Sequence, residues 1–310
     1  MEKGQKRLNP LRRGGATIPG LPGKSQRFSS LTGAAGFVSM PPNRNNDETA
    51  VDKLDILYRD EHLIAINKPA GLLVHRSAVD RHETRYALQL LRDQIGQRVY
   101  PVHRLDKPTS GVLLFALHSA AAARLTAIFT GREIDKRYLA VVRGHTPEQA
   151  RIDYPLKEEL DAASDQLALT DKPAQAAVTD YRRLATAQLP YPVGRYPSAR
   201  YSLIEATPRT GRKHQIRRHM KHVFHPVIGD TSHGDGKHNQ FFREHLHCQR
   251  LLLTATLLTF PHPDSGRPVT ISAPLDAEFV SIIERLDWRE KIRDDLPPQS
   301  GVVNSNRTQC

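Results

Sequence analysis

Cysteine is almost missing from this 310-residue chain, which contains only Cys248 and Cys310. Two cysteines build neither a disulfide framework nor a Cys-based zinc site, and such sparse use fits a reducing compartment, so the expected location is cytoplasmic. Long apolar runs are also lacking. The longest nearly apolar stretches, Gly111 to Leu117 and Leu251 to Phe260, fall well short of the roughly 18 residues a membrane span needs, so no membrane association is expected. No apolar signal-peptide core is present, and Pro10, Gly14, Gly15 and Pro19 interrupt any amphipathic transit helix. Acidic residues are in deficit, with 33 Asp+Glu against 45 Lys+Arg and a net charge of +12. A surplus of this size points to a polyanionic partner.

Hydrophobic residues make up 38% of the chain, enough for a real core, so a wholly disordered chain is excluded. Residues 1–50 hold seven Gly and five Pro but only eight Ile, Leu, Val or Phe. They have too little apolar surface to offset the entropy of ordering, and a disordered basic tail of charge +5 is expected there. A second frayed end is expected at 291–310, leaving residues 51–290 as the globular unit. Strands are expected at Leu63–Ile66, Gly111–Leu117, Tyr138–Val142, Val178–Ala187, Tyr201–Ala206, Leu251–Phe260 and Pro268–Ser272. Helices are expected at Ser119–Phe129 with Ser119 as cap, at Lys213–Val223 and at Asp276–Leu286. Strands outnumber helices without regular alternation, which favours an α+β fold.

The string His103-Arg104-Leu105-Asp106-Lys107-Pro108-Thr109-Ser110-Gly111 stands directly before a buried strand, at the mouth of a sheet. If it is extended, Arg104 and Asp106 point to one side and Leu105 to the core. A carboxylate flanked by Arg104 and Lys107 is kept ionised, which suits a nucleophile or anionic base. From spacing alone, an Asp capping a turn and pairing with a surface Arg is the favoured reading. In the helix expected at 213–223, Lys213, Arg217 and Lys221 recur every four residues on one face, opposite Ile216, Met220 and Val223. His214, His219, His222 and His225 raise the question of a metal, but Pro226 interrupts the helix and no Cys or HExxH pattern completes a site, so none is expected.

The string from His103 to Gly111 closely resembles the signature of the large family of RNA pseudouridine synthases marked by an HRLD motif. Other stretches resemble the family in the same order, over roughly residues 54–285. They include Leu57 to His62, Asn67-Lys68-Pro69-Ala70-Gly71 through His75, Lys136-Arg137-Tyr138, Thr210-Gly211-Arg212-Lys213-His214-Gln215-Ile216-Arg217 and His225 to Asp230. The stretches His82-Glu83, Asp93 to Gln97 and Gly194-Arg195-Tyr196-Pro197 look most like the bacterial branch that isomerises uridine 65 of tRNA.

The resemblance implies the pseudouridine synthase fold: a mostly antiparallel mixed sheet, flanking helices and a central RNA-binding cleft. It implies tRNA as partner, with ribosomal RNA as the alternative, and no obligatory protein partner. It assigns catalysis to Asp106, with Tyr138 stacking on uracil and able to act as a base, and Arg217 orienting Asp106. Arg104 would steady the flipped nucleotide. Arg212, Lys213, Arg218 and Lys221 would contact phosphates, with Arg195 and Arg200 as weaker candidates. The reaction moves a glycosidic bond from N1 to C5 of uracil and oxidises nothing, so no cofactor is expected. An RNA-binding protein without catalysis would not need Asp106, Tyr138 and Arg217 together. Residues 195–225 alone carry +7, so the basic charge is concentrated where the RNA is expected.

Overall fold

The computed structural model describes residues 53–75, 83–131, 133–158 and 173–292. The expectations for 1–50 and for 293–310 fall outside these residues. Packing reaches Ile292, which is fully buried at the end of a 3-10 turn, two residues past the expected boundary.

Ten strands form one sheet. In chain order the elements are β1 (Asp55–Arg59), β2 (Leu63–Lys68), α1 (Ala87–Ile95), β3 (Tyr100–Pro101), β4 (Ser110–Ala116), α2 (Ser119–Gly131), β5 (Asp135–Arg143), β6 (Gln149–Asp153), β7 (Val178–Leu189), β8 (Ala199–Pro208), α3 (Gln215–His222), α4 (Gly236–His245), β9 (Leu253–Pro261), β10 (Pro268–Ser272) and α5 (Ala277–Arg285). The strand order is β1-β2-β4-β9-β5-β8-β7-β6, with β3 against β4 and β10 against β9. Among the named strands of the described residues the β4–β9 pairing is parallel and the others antiparallel, so the sheet is mixed and mostly antiparallel, an α+β fold of the expected class.

Every residue of β4 is buried because both sheet faces are covered. Leu113 and Phe115 meet Ala87 and Leu91 of α1 on one face, and Val112, Leu114 and Ala116 meet Ala121 and Leu125 of α2 on the other. The same alternation runs through β5. Leu139 and Val141 pack with Phe279, Ile282 and Ile283 of α5, while Ala140 and Val142 pack with Ile216 and Met220 of α3. Period-two strands between helices therefore build a three-layer core.

Three local expectations change. His118 caps α2 in place of Ser119, its Nδ1 accepting from the Ala121 N–H at 3.2 Å. Helix α3 begins at Gln215, after His214 in the left-handed region at φ 56°. Helices α1 and α4 were not anticipated. For α1 the usual start signal is missing, since its N-cap is Tyr86 with no side-chain cap bond. For α4 the signal was there: Asp235 accepts from the N–H groups of Lys237 and His238.

Candidate active site

The loop between β3 and β4 carries Asp106, and a short turn in which the Thr109 N–H donates to the Asp106 carbonyl sets its direction. Leu105 is buried in the core while Arg104 is exposed, so the expected alternation holds. Behind the loop, Gly111 sits at φ 108° against Ala255 of β9, and a Cβ there would run into the Ala255 carbonyl oxygen. Only glycine permits this close approach of the Asp106 loop to the sheet. His103 is a prop for the loop: its Nε2 accepts from the Leu114 N–H at 3.0 Å, and its ring stacks on Phe129. Burial, then the Lys136 charge, push its imidazole down to about 3, so it stays neutral.

Asp106, Tyr138 and Arg217 all line one cleft of about 650 Å³, together with Arg104, Arg212 and Lys213. Arg217 comes from α3, 111 residues downstream of Asp106, and its Nη1 donates to Asp106 Oδ2 at 3.1 Å. Its remaining donors form a bidentate pair with Asp230, Nε to Oδ2 at 2.7 Å and Nη2 to Oδ1 at 2.8 Å. Asp230 is in turn fixed by the N–H groups of Ser232 and His233, both 2.9 Å from Oδ1. The Arg217 side chain is 4% exposed and that of Asp230 fully buried. Burial alone would lower the Arg217 pKa, but hydrogen bonds to Asp230 and the charges of Asp230 and Asp106 outweigh it and hold the guanidinium above its usual value. A planar fork is the group that can serve two carboxylates at once.

The basic face expected on α3 does not exist as drawn. Lys213 precedes the helix, Arg217 is drawn inward by Asp230, and only Lys221 is exposed. The apolar stripe is as expected, with Ile216 and Met220 in the core and Val223 packed against it. Arg218 and Lys221 lie outside the cleft lining, and Arg218 donates to the Lys157 carbonyl at 2.8 Å.

Tyr138 stands on β5, packed beside both the Asp106 loop cluster and the α3 cluster. Burial, then the Asp106 charge, push its phenol upward. The four histidines of the metal question go separate ways. His214 Nδ1 meets His233 Nε2 at 3.0 Å, and buried His219 bonds Thr179 Oγ1 and the Tyr154 carbonyl. His222 stacks on Tyr154, and His225 bonds the Arg143 carbonyl. Among the described residues no group of three or more candidate ligands could hold a metal.

Three residues that sequence reasoning left without a role shape the site. Asp230 lay in a quoted motif, but nothing in its neighbours marks it as the partner of Arg217. Lys136 lines the cleft, its pKa lowered by burial. Lys68 is fully buried at the end of β2 and donates to the carbonyls of Pro69 and Leu72 at 2.8 Å and of Lys107 at 3.1 Å. It thereby ties the 69–72 loop to the residue after Asp106. Burial, then the Arg250 charge, push its ammonium down to about 7, while the Asp106 charge and the three carbonyls favour the charged form. Lys68→Met keeps the stem but takes a donor from three inward carbonyls, of which that of Lys107 keeps the Gly71 N–H at 2.9 Å. A loss of about 2–4 kcal/mol is expected, read as a lower urea midpoint at unchanged slope.

The chain matches the family model described as RNA pseudouridylate synthase over residues 62–222. It is 53% identical over 239 residues to tRNA pseudouridine synthase C of Vibrio cholerae, covering 77% of this chain and 98% of that protein. With tRNA pseudouridine synthase C of Pasteurella multocida it shares 54% identity over 235 residues, 76% of this chain and 97% of the relative. Among solved structures it resembles Human RNA Pseudouridylate Synthase Domain Containing 4, with TM-score 0.57 and 26% identity over 75% of this chain and 93% of that one. Human RNA Pseudouridylate Synthase Domain Containing 1 shares the fold, with TM-score 0.57 and 24% identity over 73% and 85% of the two chains.

Proposed function

Because the chain belongs to the RNA pseudouridylate synthase family, we propose that it isomerises uridine to pseudouridine in tRNA, at position 65, with Asp106 as the catalytic carboxylate. The observation that carries the site assignment is the chain Asp230, Arg217, Asp106. A guanidinium locked by one buried carboxylate holds a second carboxylate at the floor of an open cleft. Bacterial relatives that bear the name of a tRNA-modifying enzyme support tRNA as substrate and a cytoplasmic setting. No helix among the described residues is long and apolar enough to cross a membrane.

In the reaction the N1–C1′ bond breaks, the uracil turns, and a C5–C1′ bond forms. The C5 proton leaves and N1 gains one, so atoms and charge balance. Asp106 can attack uracil C6 or ribose C1′, or stabilise charge as the glycosidic bond opens. Arg217 fixes its direction. Tyr138 offers the uracil an aromatic face. Its raised pKa keeps the phenol protonated near neutral pH, so it is placed to stack and to donate, and a base role requires deprotonation against burial. The Thr109 hydroxyl, buried in the cleft wall without a hydrogen-bond partner among the described residues, is available to the uracil edge. Extruding the target base costs about a few kcal/mol, and exposed Arg104 at the rim is placed to steady it. Arg212 and Lys213 would take phosphates beside the cleft, and Arg218 and Lys221 phosphates farther along α3.

Two measurements test this reading. Purified protein should release tritium from tRNA labelled at uracil C5, and no release from total tRNA would refute the activity. Deleting the gene should remove the pseudouridine at position 65, and an intact modification there would refute the position alone.

A further inference from the structure

A second hollow, of about 460 Å³, lies away from the catalytic cleft and shares no lining residue with it. Helix α3, which brings Arg217 to Asp106, ends at its wall. The helix closes with two backbone bonds, Phe224 N–H to the Lys221 carbonyl at 3.0 Å and His225 N–H to the Met220 carbonyl at 2.8 Å. These are the paired bonds of a Schellman cap, in which the residue at position 224 must be left-handed and is usually glycine. Here it is Phe224, at φ 64°. The residue is 79% exposed, the largest value among the exposed large hydrophobics of the described residues. Backbone preference argues against phenylalanine at this position, and burial does not explain it. A bulky residue held in a costly conformation and turned into solvent is a feature of sites that bind something.

The surroundings indicate what is bound. Arg143 donates to the Phe224 carbonyl at 3.1 Å and pairs with Asp235, which locks the turn. Tyr196, 52% exposed, stands in the same wall with the Arg195 guanidinium 5.1 Å from its ring centre. Arg200 and Lys237 also line the hollow, and their charged ends have no hydrogen-bond or ion-pair partner among the described residues. Asp235, the only carboxylate in the lining, is already paired. Two exposed aromatic rings beside cations without carboxylate partners match the chemistry of an unpaired nucleotide, with its base stacked on a ring and its phosphates held by Arg or Lys.

We infer that this hollow is a second RNA-binding site, in which Phe224 and Tyr196 stack unpaired bases of the substrate tRNA and Arg195, Arg200 and Lys237 hold the adjoining phosphates. The inference rests on the proposed tRNA activity and extends it from the reacting uridine to a second part of the same molecule. Because α3 joins the two sites, a tRNA seated on Phe224 is held in register with Asp106.

The test uses the full chain and a tRNA transcript. Glycine suits position 224 better than phenylalanine, so Phe224→Gly should melt at the same temperature as the wild type or higher, yet bind tRNA about 5–150-fold more weakly, the range expected for one lost stacking contact. Phe224→Tyr, which keeps a ring, should bind within about two-fold of wild type. Arg200→Ala with Lys237→Ala should weaken binding and flatten its salt dependence by about one to two phosphate contacts. Wild-type protein that releases no tritium from any tRNA would refute the activity, not the hollow. Wild-type activity with unchanged tRNA affinity in Phe224→Gly and in the double variant would overturn the hollow alone. A change of oligomeric state in Phe224→Gly, with tRNA affinity preserved, would also overturn it, by showing that the ring contacts a second copy of the chain.

Discussion

Asp106→Asn is expected to abolish turnover, with tritium release from C5-labelled tRNA falling by at least about 10⁴-fold, as for the loss of an essential nucleophile. The affinity for tRNA should stay within a few-fold of wild type. Asparagine has the same shape, and its Oδ1 still accepts from Arg217 Nη1, now 3.1 Å from the carboxylate. Arg217 keeps its bidentate partner Asp230, so no buried charge is stranded, and a stability change of about 1 kcal/mol or less is expected. The substitution thus separates chemistry from folding and binding. Turnover that survives would remove Asp106 from its role, and turnover lost together with RNA binding would assign it to recognition instead.

Asp230→Asn should have the opposite profile, with a large effect on stability and an indirect one on catalysis. Its side chain is fully buried against a guanidinium that is 4% exposed. Removing one partner of a buried pair leaves the other charge uncompensated, typically at about 3–5 kcal/mol. Asp106 softens this by holding one edge of Arg217, so a loss of about 3 kcal/mol is expected, read in urea or thermal unfolding. Arg217 would then be free to turn toward Asp106, and kcat should fall while tRNA binding is retained.

The pH dependence carries the same signature. Burial raises the Asp230 pKa, but hydrogen bonds from Arg217 and the His233 N–H, with the Arg217 charge, outweigh it and hold it below the usual carboxylate value. A carboxylate with a lowered folded pKa stabilises the protein above its unfolded pKa of about 4, and that stability is lost as pH falls through the folded value. The wild type should therefore lose stability below about pH 4, and Asp230→Asn should show a shallower acid dependence there. An equally steep acid limb in the variant would show that other carboxylates dominate acid unfolding.

The nearly apolar runs from Gly111 to Leu117 and from Leu251 to Phe260 made the central strands legible, because such runs report burial on both faces. The C-terminal helix was legible because Asp276 caps it, accepting from the Phe279 N–H at 3.0 Å. Helix α1 was not, since its start carries no capping side chain and its amphipathic pattern gains meaning only against Leu113 and Phe115. The HRLD motif was legible as a string, and the family resemblance implied Arg217 as the partner of Asp106, but the residues next to Asp106 pointed elsewhere. The cations beside Asp106 in sequence suggested the partners that hold it ionised. Lys107 instead lies 2.9 Å from Glu83, and the guanidinium bonded to Asp106 arrives from α3. Lys213, Arg217 and Lys221 suggested one basic face open to substrate for the same reason: helical periodicity cannot register a buried carboxylate thirteen residues away.

The sequence by itself determined the α+β class, the family resemblance and the three residues that meet in the cleft, since each is written in local pattern or in motif order. The tertiary structure alone decided which carboxylate locks Arg217, that Lys68 ties the Asp106 loop from beneath, and that Phe224 stands strained and exposed at the end of α3. The physical reason is range. Backbone propensity and burial act within a few residues, whereas an ion pair between Arg217 and Asp106, or a hollow assembled from β5, α4 and the end of α3, exists only after distant segments have been folded together.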